Sequence, residues 1–159
     1  MTAPHTPPDH SGIVFPPPFV YATLLLAGCL VHRWVPVALV PNAPWLEWPA
    51  LGLVAAGVAL ALSAVLTFRG AGTHVNPRKP ATTVVAHGPF RFTRNPMYVA
   101  MATVYLGVTA LVNSLWPLLL FPPAVWIVGR YMIAREEAYL ERKFGHAYLN
   151  YKAKVRRWL

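Results

Sequence analysis

Residues 48–68 read WPALGLVAAGVALALSAVLTF, a stretch without one charged side chain. A helix that crosses a bilayer needs about 20 consecutive, mostly apolar residues, and this run meets that length. Outward from it, a first apolar segment runs from about Pro18 to Val35, a third from Pro96 to Val112, and a fourth from Leu115 to about Ala134. Pro122 and Pro123 lie inside the fourth and are expected to bend it, since each removes a backbone donor. The composition agrees: of 159 residues, 56% are apolar and 12% charged, with a mean hydropathy of +0.43. A soluble domain carries about 25% charged residues. Gly52 and Gly57, set among alanines, suit close helix packing in a membrane. The fold class expected is therefore all-α, an integral membrane bundle of about four helices.

Fourteen Lys and Arg stand against five Asp and Glu, a net charge of +9. These cations flank apolar runs, the distribution of positive-inside charge rather than of a nucleic-acid partner. Residues 69–96 hold Arg69, Arg78, Lys79, Arg91 and Arg94, and the C-terminal stretch adds seven more from Arg135 onward. The connection 36–47, PVALVPNAPWLE, has none. Four helices put both basic regions and the N-terminus on the cytoplasmic side. Trp34, Trp45 and Trp48 then belong to an aromatic belt on the far side, where Arg33 departs from the charge rule. Residues 1–15 read as a Pro-rich disordered tail without the basic start of a cleavable signal. Cys29 stands alone in an apolar run, so no intrachain disulfide forms. The six histidines are scattered without metal-ligand spacing, and no metal is expected.

Two polar constellations interrupt this pattern. The first is HGPFRFTRNPMY, residues 87–98. Asn is a preferred N-cap and Pro a preferred first helical residue, so Asn95-Pro96 marks a sharp helix start. The free N–H groups there favour anions, and Arg94 adds a full charge. Phe90, Phe92 and Tyr98 offer aromatic surface. Two uses stay open: a site for a ligand with a carboxylate and a flat ring, or an anchor in the lipid headgroups. The second constellation is REEAYLERKFGHAYLNYKAKVRRWL, residues 135–159. The fourth helix should run on through Glu136 and Glu137 to Phe144, with Gly145 as its C-cap. Tyr148, Tyr151, Val155 and Leu159 then recur at helical spacing among cations, the pattern of an interfacial amphipathic helix. For the two glutamates, a surface ion pair with Arg135 or Lys143 is the alternative to a role in a site.

Together the constellations resemble the isoprenylcysteine carboxyl methyltransferase and phospholipid methyltransferase superfamily of membrane enzymes. The matching elements, in order, are Gly88-Pro89-Phe90, Arg94-Asn95-Pro96-Met97-Tyr98, Glu136-Glu137, and Phe144-Gly145-His146-Ala147-Tyr148 with Tyr151. The stretch GTHVNPRKPATTVV, residues 72–85, is similar to the lead-in of bacterial members. The resemblance spans about residues 68–157, which it implies are a cofactor-binding core within a single membrane methyltransferase domain over 1–159. It implies S-adenosylmethionine bound from the cytoplasm, with S-adenosylhomocysteine as product. Val84, Val85, His87, Gly88 and Phe90 would line one side. Arg94, Asn95, Pro96 and Tyr98 would frame another, and Glu136, Glu137, Tyr148 and Tyr151 would close the pocket. Arg94 and Glu137 are the expected catalytic pair, with Glu137 the acid inside. The chain departs from the prenylcysteine enzymes at Asn95 and Thr82, where those enzymes have histidine.

Methyl transfer is an in-line displacement, so positioning does most of the work. A carboxylate acceptor needs only a cation to aim it, whereas an amine or thiol must lose a proton, for which Glu137 or a histidine is the candidate base. The expected partners are membrane lipids and a hydrophobic or amphipathic acceptor, in a bacterial inner membrane. No nucleotide-binding Gly-x-Gly-x-Gly run follows a strand pattern. Two rival functions are an NADPH-dependent membrane reductase of the sterol reductase class and a lipid-binding protein without catalysis.

Overall fold

The computed structural model describes residues 9–12, 16–76 and 79–159, and among these the protein is helical with no strand. Helix α1 spans Pro17–Trp34, α2 Glu47–Gly70 and α3 Pro96–Val112. A fourth rod begins as α4, Leu115–Ile127, passes through a π-helical turn at Val128–Ile133, and continues as α5, Ala134–Phe144. Gly145, at φ +51°, breaks the rod, and α6 follows over His146–Lys154. Each expected apolar segment is a helix, and α3 begins at Pro96. Most of the stretch read as a tail, and Arg78, lie outside the described residues.

Helix α2 packs along α3, and α1 along α4. Small residues make this possible. A Cβ added at Gly57 would meet Val104 Cγ2 at 2.6 Å and the Ala100 carbonyl at 2.9 Å. Gly107 faces back, with Val54 Cγ2 at 2.7 Å, and Gly28 of α1 lies against Pro117 in the same way. Gly52, expected to share this role, has nothing within 4 Å of an added Cβ and faces outward. Its five-residue offset from Gly57 turns it away from α3, because contact on one helix face repeats every three or four residues. Gly57→Val should therefore lower unfolding free energy by about 1–3 kcal/mol through overpacking, while Gly52→Ala stays neutral. Thermal unfolding in detergent measures both, and equal stability of the two variants would contradict this packing.

The outer surface is apolar. Leu26, Leu62, Leu66, Leu119 and Trp126 are each more than half exposed. Only 11% of the most apolar window in Pro44–Gly70 is buried inside the protein, so this is no soluble core helix. By length and composition, Pro44–Gly70 and Leu115–Phe144 can each cross a membrane, and α3 is a shorter apolar helix. Trp34, Trp45 and Trp48 are strongly exposed beside the 36–47 connection, where a belt was expected.

The polar pair Asn113-Ser114 between α3 and α4 has a structural task. Asn113 takes a left-handed conformation as the C-cap of α3. Its side-chain amide exchanges two hydrogen bonds of 2.9 Å with the backbone of Val40. An isolated bridge between Ala38 and Ser114 completes the tie. In the fourth rod, helix persists across Pro122 and Pro123, and the change of hydrogen-bond register falls later, at Val128–Ile133. A π turn of this kind re-aims every side chain beyond it, including Glu136 and Glu137.

Candidate active site

A cavity of about 470 Å³ opens where α3 begins, bounded by α5, α6, the loop before the 3-10 turn Gly88–Arg91, and the start of α1. That volume lies within the range of small-molecule sites, about 300–1,000 Å³. Its lining includes Val84, Val85, Phe90, Arg94, Asn95, Pro96, Tyr98, Glu136, Tyr148 and Tyr151. Residues distant in sequence and singled out together are thus brought to one chamber.

Local sequence explains each wall. At the start of α3, the Asn95 carbonyl accepts the N–H groups of Tyr98 and Val99 at 3.0 and 3.1 Å. The Asn95 side chain does not cap the helix, as its residue type had suggested; its amide donates to the Arg157 carbonyl at 2.9 Å. The competing acceptor wins because the C-terminal residues lie directly against this turn. Phe90 stacks on Phe68 with ring centroids 4.5 Å apart, and Tyr151 donates to the Phe90 carbonyl at 2.7 Å. Helix α6 therefore closes the cavity instead of lying as a free interfacial foot: Tyr148 and Tyr151 are buried. The helix ends at Lys154, so Val155 and Leu159, expected in the same stripe, lie on a non-helical end, with Leu159 exposed. Burial raises the Tyr148 phenol above its usual range, with Glu137 adding to the rise, and pushes Tyr151 up to about 12. Both stay neutral donors at physiological pH.

The two glutamates divide. Glu136 lines the cavity and accepts a hydrogen bond of 3.0 Å from the Tyr98 hydroxyl. No cation among the described residues lies within ion-pair distance of it. Glu137 is buried behind the wall and held by two arginines. Its Oε1 is 3.0 Å from Arg94 Nη1 and accepts from Arg157 Nε at 3.1 Å, while Oε2 pairs with Arg157 Nη2. The expectation that Glu137 is the acid facing the pocket is thus reversed. Successive helical residues point about 100° apart, and the register after the π turn gives the chamber to Glu136. The alternative partners Arg135 and Lys143 are also excluded: Lys143 pairs with Asp9 at 2.6 Å, and Arg135 reaches the Gly12 carbonyl.

Arg94 faces the cavity with its side chain 10% exposed. Its Nη1 lies off the line needed for a hydrogen bond to Glu137, and its Nε has no hydrogen-bond partner among the described residues. Arg94 thus stands between Glu137 and the chamber it helps to line.

His87 and Gly88 are not part of the lining. Gly88, at φ +58°, serves the turn, since an added Cβ would meet Thr67 Oγ1 at 2.7 Å. Sequence reasoning missed the opposite wall, Thr73–Asn76, Lys79, Ala81 and Thr83, together with Met97, Met101 and the prolines that open α1. The run 72–85, whose sequence suggests only a lead-in to the motifs, supplies this wall. It folds back on itself because Thr82 N–H donates to Thr73 Oγ1 at 3.1 Å and Thr82 Oγ1 to the Gly72 carbonyl at 3.0 Å. Tyr139 of α5 fixes its end by accepting the Ala81 N–H at 3.0 Å. Arg157 was missed too, having looked like one more C-terminal cation.

Comparison with known proteins agrees with this geometry. The family model for phospholipid methyltransferases matches residues 45–147. An uncharacterised protein of Haemophilus influenzae is 46% identical over 66 residues, 40% of this chain and all of that protein. The protein-S-isoprenylcysteine O-methyltransferase of Schizosaccharomyces pombe is 32% identical over 108 residues, which cover 67% of this chain but 46% of the yeast enzyme. No solved structure matches. The family match takes in α2, α3, the whole fourth rod and the turn at Gly145, and with them most of the cavity wall: the chain belongs to the phospholipid methyltransferase family.

Proposed function

We propose that the protein transfers a methyl group from S-adenosylmethionine to a hydrophobic or amphipathic acceptor at the membrane. The acceptor classes in view are an isoprenylcysteine-like carboxylate, a lipid amine and a small thiol. The observation that carries this is the pairing, in one chamber, of a cation, Arg94, with an acid, Glu136, that has no cation among the described residues within ion-pair distance. A ligand bearing both a carboxylate and a positive centre complements the two. The residues present therefore fit this cofactor: Arg94 for the carboxylate, Glu136 for the amino group or sulfonium, and Phe68, Phe90 and Tyr148 for a flat ring.

S-adenosylmethionine, when bound, supplies an electrophilic methyl group on a sulfonium. Arg94 would orient by a charge-assisted contact, and Glu136, kept in place by Tyr98, would hold positive charge or take the proton of an amine or thiol acceptor. Pro16, Pro17, Pro18, Met97 and Met101 give the chamber an apolar end, suited to an acceptor arriving from lipid. Calorimetry of the detergent-purified protein with S-adenosylmethionine, S-adenosylhomocysteine and NADPH tests the proposal. Heat with the first two and none with NADPH is expected. Binding of NADPH alone would favour a reductase, and silence from all three a lipid-binding protein.

The membrane arrangement that goes with this function is four crossings, both termini and the cavity cytoplasmic, in a bacterial inner membrane. The cation-free 36–47 connection opposite two basic segments supports it. Reporter fusions at Asn42 and Gly72 should give opposite sides; the same side for both would defeat this topology.

A further inference from the structure

Residues 156–158 fold back onto the start of α3 and the π turn. Backbone carbonyls of Arg156 and Arg157 receive the Arg94 N–H at 2.9 Å, the Thr93 hydroxyl at 3.1 Å and the Asn95 amide at 2.9 Å. Trp158 packs against the buried cluster of Tyr98, Val128 and Met132, over Gly129 of the π turn. The Arg157 guanidinium, 41% exposed at one edge, covers Glu137 from the side away from the cavity. Its pKa is raised by the hydrogen bond to Glu137, so it stays charged throughout.

The charge count of this group has a consequence. Glu137 alone between two arginines leaves the triad at a net +1, and the arginine that lines the cavity approaches Glu137 within ion-pair distance through one nitrogen, Nη1. Take Arg157 away and Glu137 has one counter-ion left. Both its oxygens are then free to draw Arg94 into a two-pronged pair, the geometry arginine and carboxylate prefer. The net charge becomes zero and the Arg94 guanidinium is committed to Glu137 instead of to the chamber.

We infer that Arg157 is a positioning residue: it satisfies Glu137 so that Arg94 remains available to an anionic group in the cavity. This rests on the proposed cofactor for the identity of that anion, but the state of Arg94 is measurable without it. Arg157→Gln should weaken S-adenosylhomocysteine binding about tenfold, the worth of one charge-assisted contact, with Arg157→Lys keeping most of the affinity. The double variant Glu137→Gln/Arg157→Gln restores a net +1 and removes the competing carboxylate, so its affinity should return to within a few-fold of wild type. A residue that only ties down the tail predicts the reverse, a double variant no better than the single. In parallel, phenylglyoxal labelling followed by peptide mass mapping reads Arg94 directly in the ligand-free protein. Labelling should slow in Arg157→Gln and recover in the double variant. Unchanged binding in Arg157→Gln, or no recovery in the double variant, overturns the inference. If the wild type does not bind S-adenosylhomocysteine, the functional proposal fails, and the labelling pattern alone still decides the role of Arg157.

Discussion

Arg94→Ala should lose at least tenfold in affinity for S-adenosylmethionine while the protein stays folded. The loss follows from removing a charge-assisted contact, about 1.5–3 kcal/mol, where each 1.4 kcal/mol is a tenfold change. The fold survives because Glu137 keeps Arg157, which holds both of its oxygens. The substitution also leaves backbone N–H of residue 94 on the Arg156 carbonyl, so the turn before α3 stays tethered. Calorimetric titration beside thermal unfolding in detergent checks both halves. Undiminished affinity in a folded variant would make Arg94 a structural partner of Glu137 and nothing more.

The second large effect separates the adjacent glutamates. Glu137→Gln should cost stability: the carboxylate is 4% exposed and serves two guanidinium groups. Removing one member of a buried pair typically costs about 3–5 kcal/mol, and the partial exposure of Arg157 puts the expected loss at about 3 kcal/mol, the lower end of that range. Glu136→Gln should leave stability nearly unchanged, since its partner among the described residues is the Tyr98 hydroxyl, which can donate to an amide oxygen as well. Methyl transfer should instead collapse in Glu136→Gln, because the charge facing the cavity is gone. Unfolding midpoints and methyl transfer to a panel of lipid, thiol and prenylcysteine acceptors, measured on both variants, decide the matter. A stable, inactive Glu137→Gln beside an active Glu136→Gln would reverse the two roles.

The positions where this chain lacks the histidines of prenylcysteine enzymes have structural uses here. Asn95 binds the C-terminal strap, and Thr82 folds the 72–85 wall onto Gly72 and Thr73. The sequence departures thus fall on residues that shape the chamber without offering a base to it; under the proposed function, Glu136 or His74, both in the lining, would take the proton of an acceptor that must be deprotonated.

Features set by short-range physics were legible in the order of residues. Helix extents follow from uninterrupted apolar runs, because an unpaired peptide group costs several kcal/mol in lipid. The start of α3 follows from Asn95-Pro96, and the break at residue 145 from glycine's freedom at positive φ. Cavity residues clustered in motifs were legible for the same reason, since Arg94, Asn95, Pro96 and Tyr98 share one turn. Which groups meet is a matter of long-range packing. Whether Glu136 or Glu137 enters the chamber depends on the helical register after the π turn at Val128–Ile133, and no residue type announces that turn. That Gly57 and Gly107, not Gly52, set the approach of α2 to α3 depends on how the two helices face each other. That Arg157 belongs to the site depends on the chain end returning to residues 93–95, more than sixty positions earlier. Periodicity reports which face of a helix is apolar; it carries no information on which distant backbone carbonyl or carboxylate a terminal arginine will find.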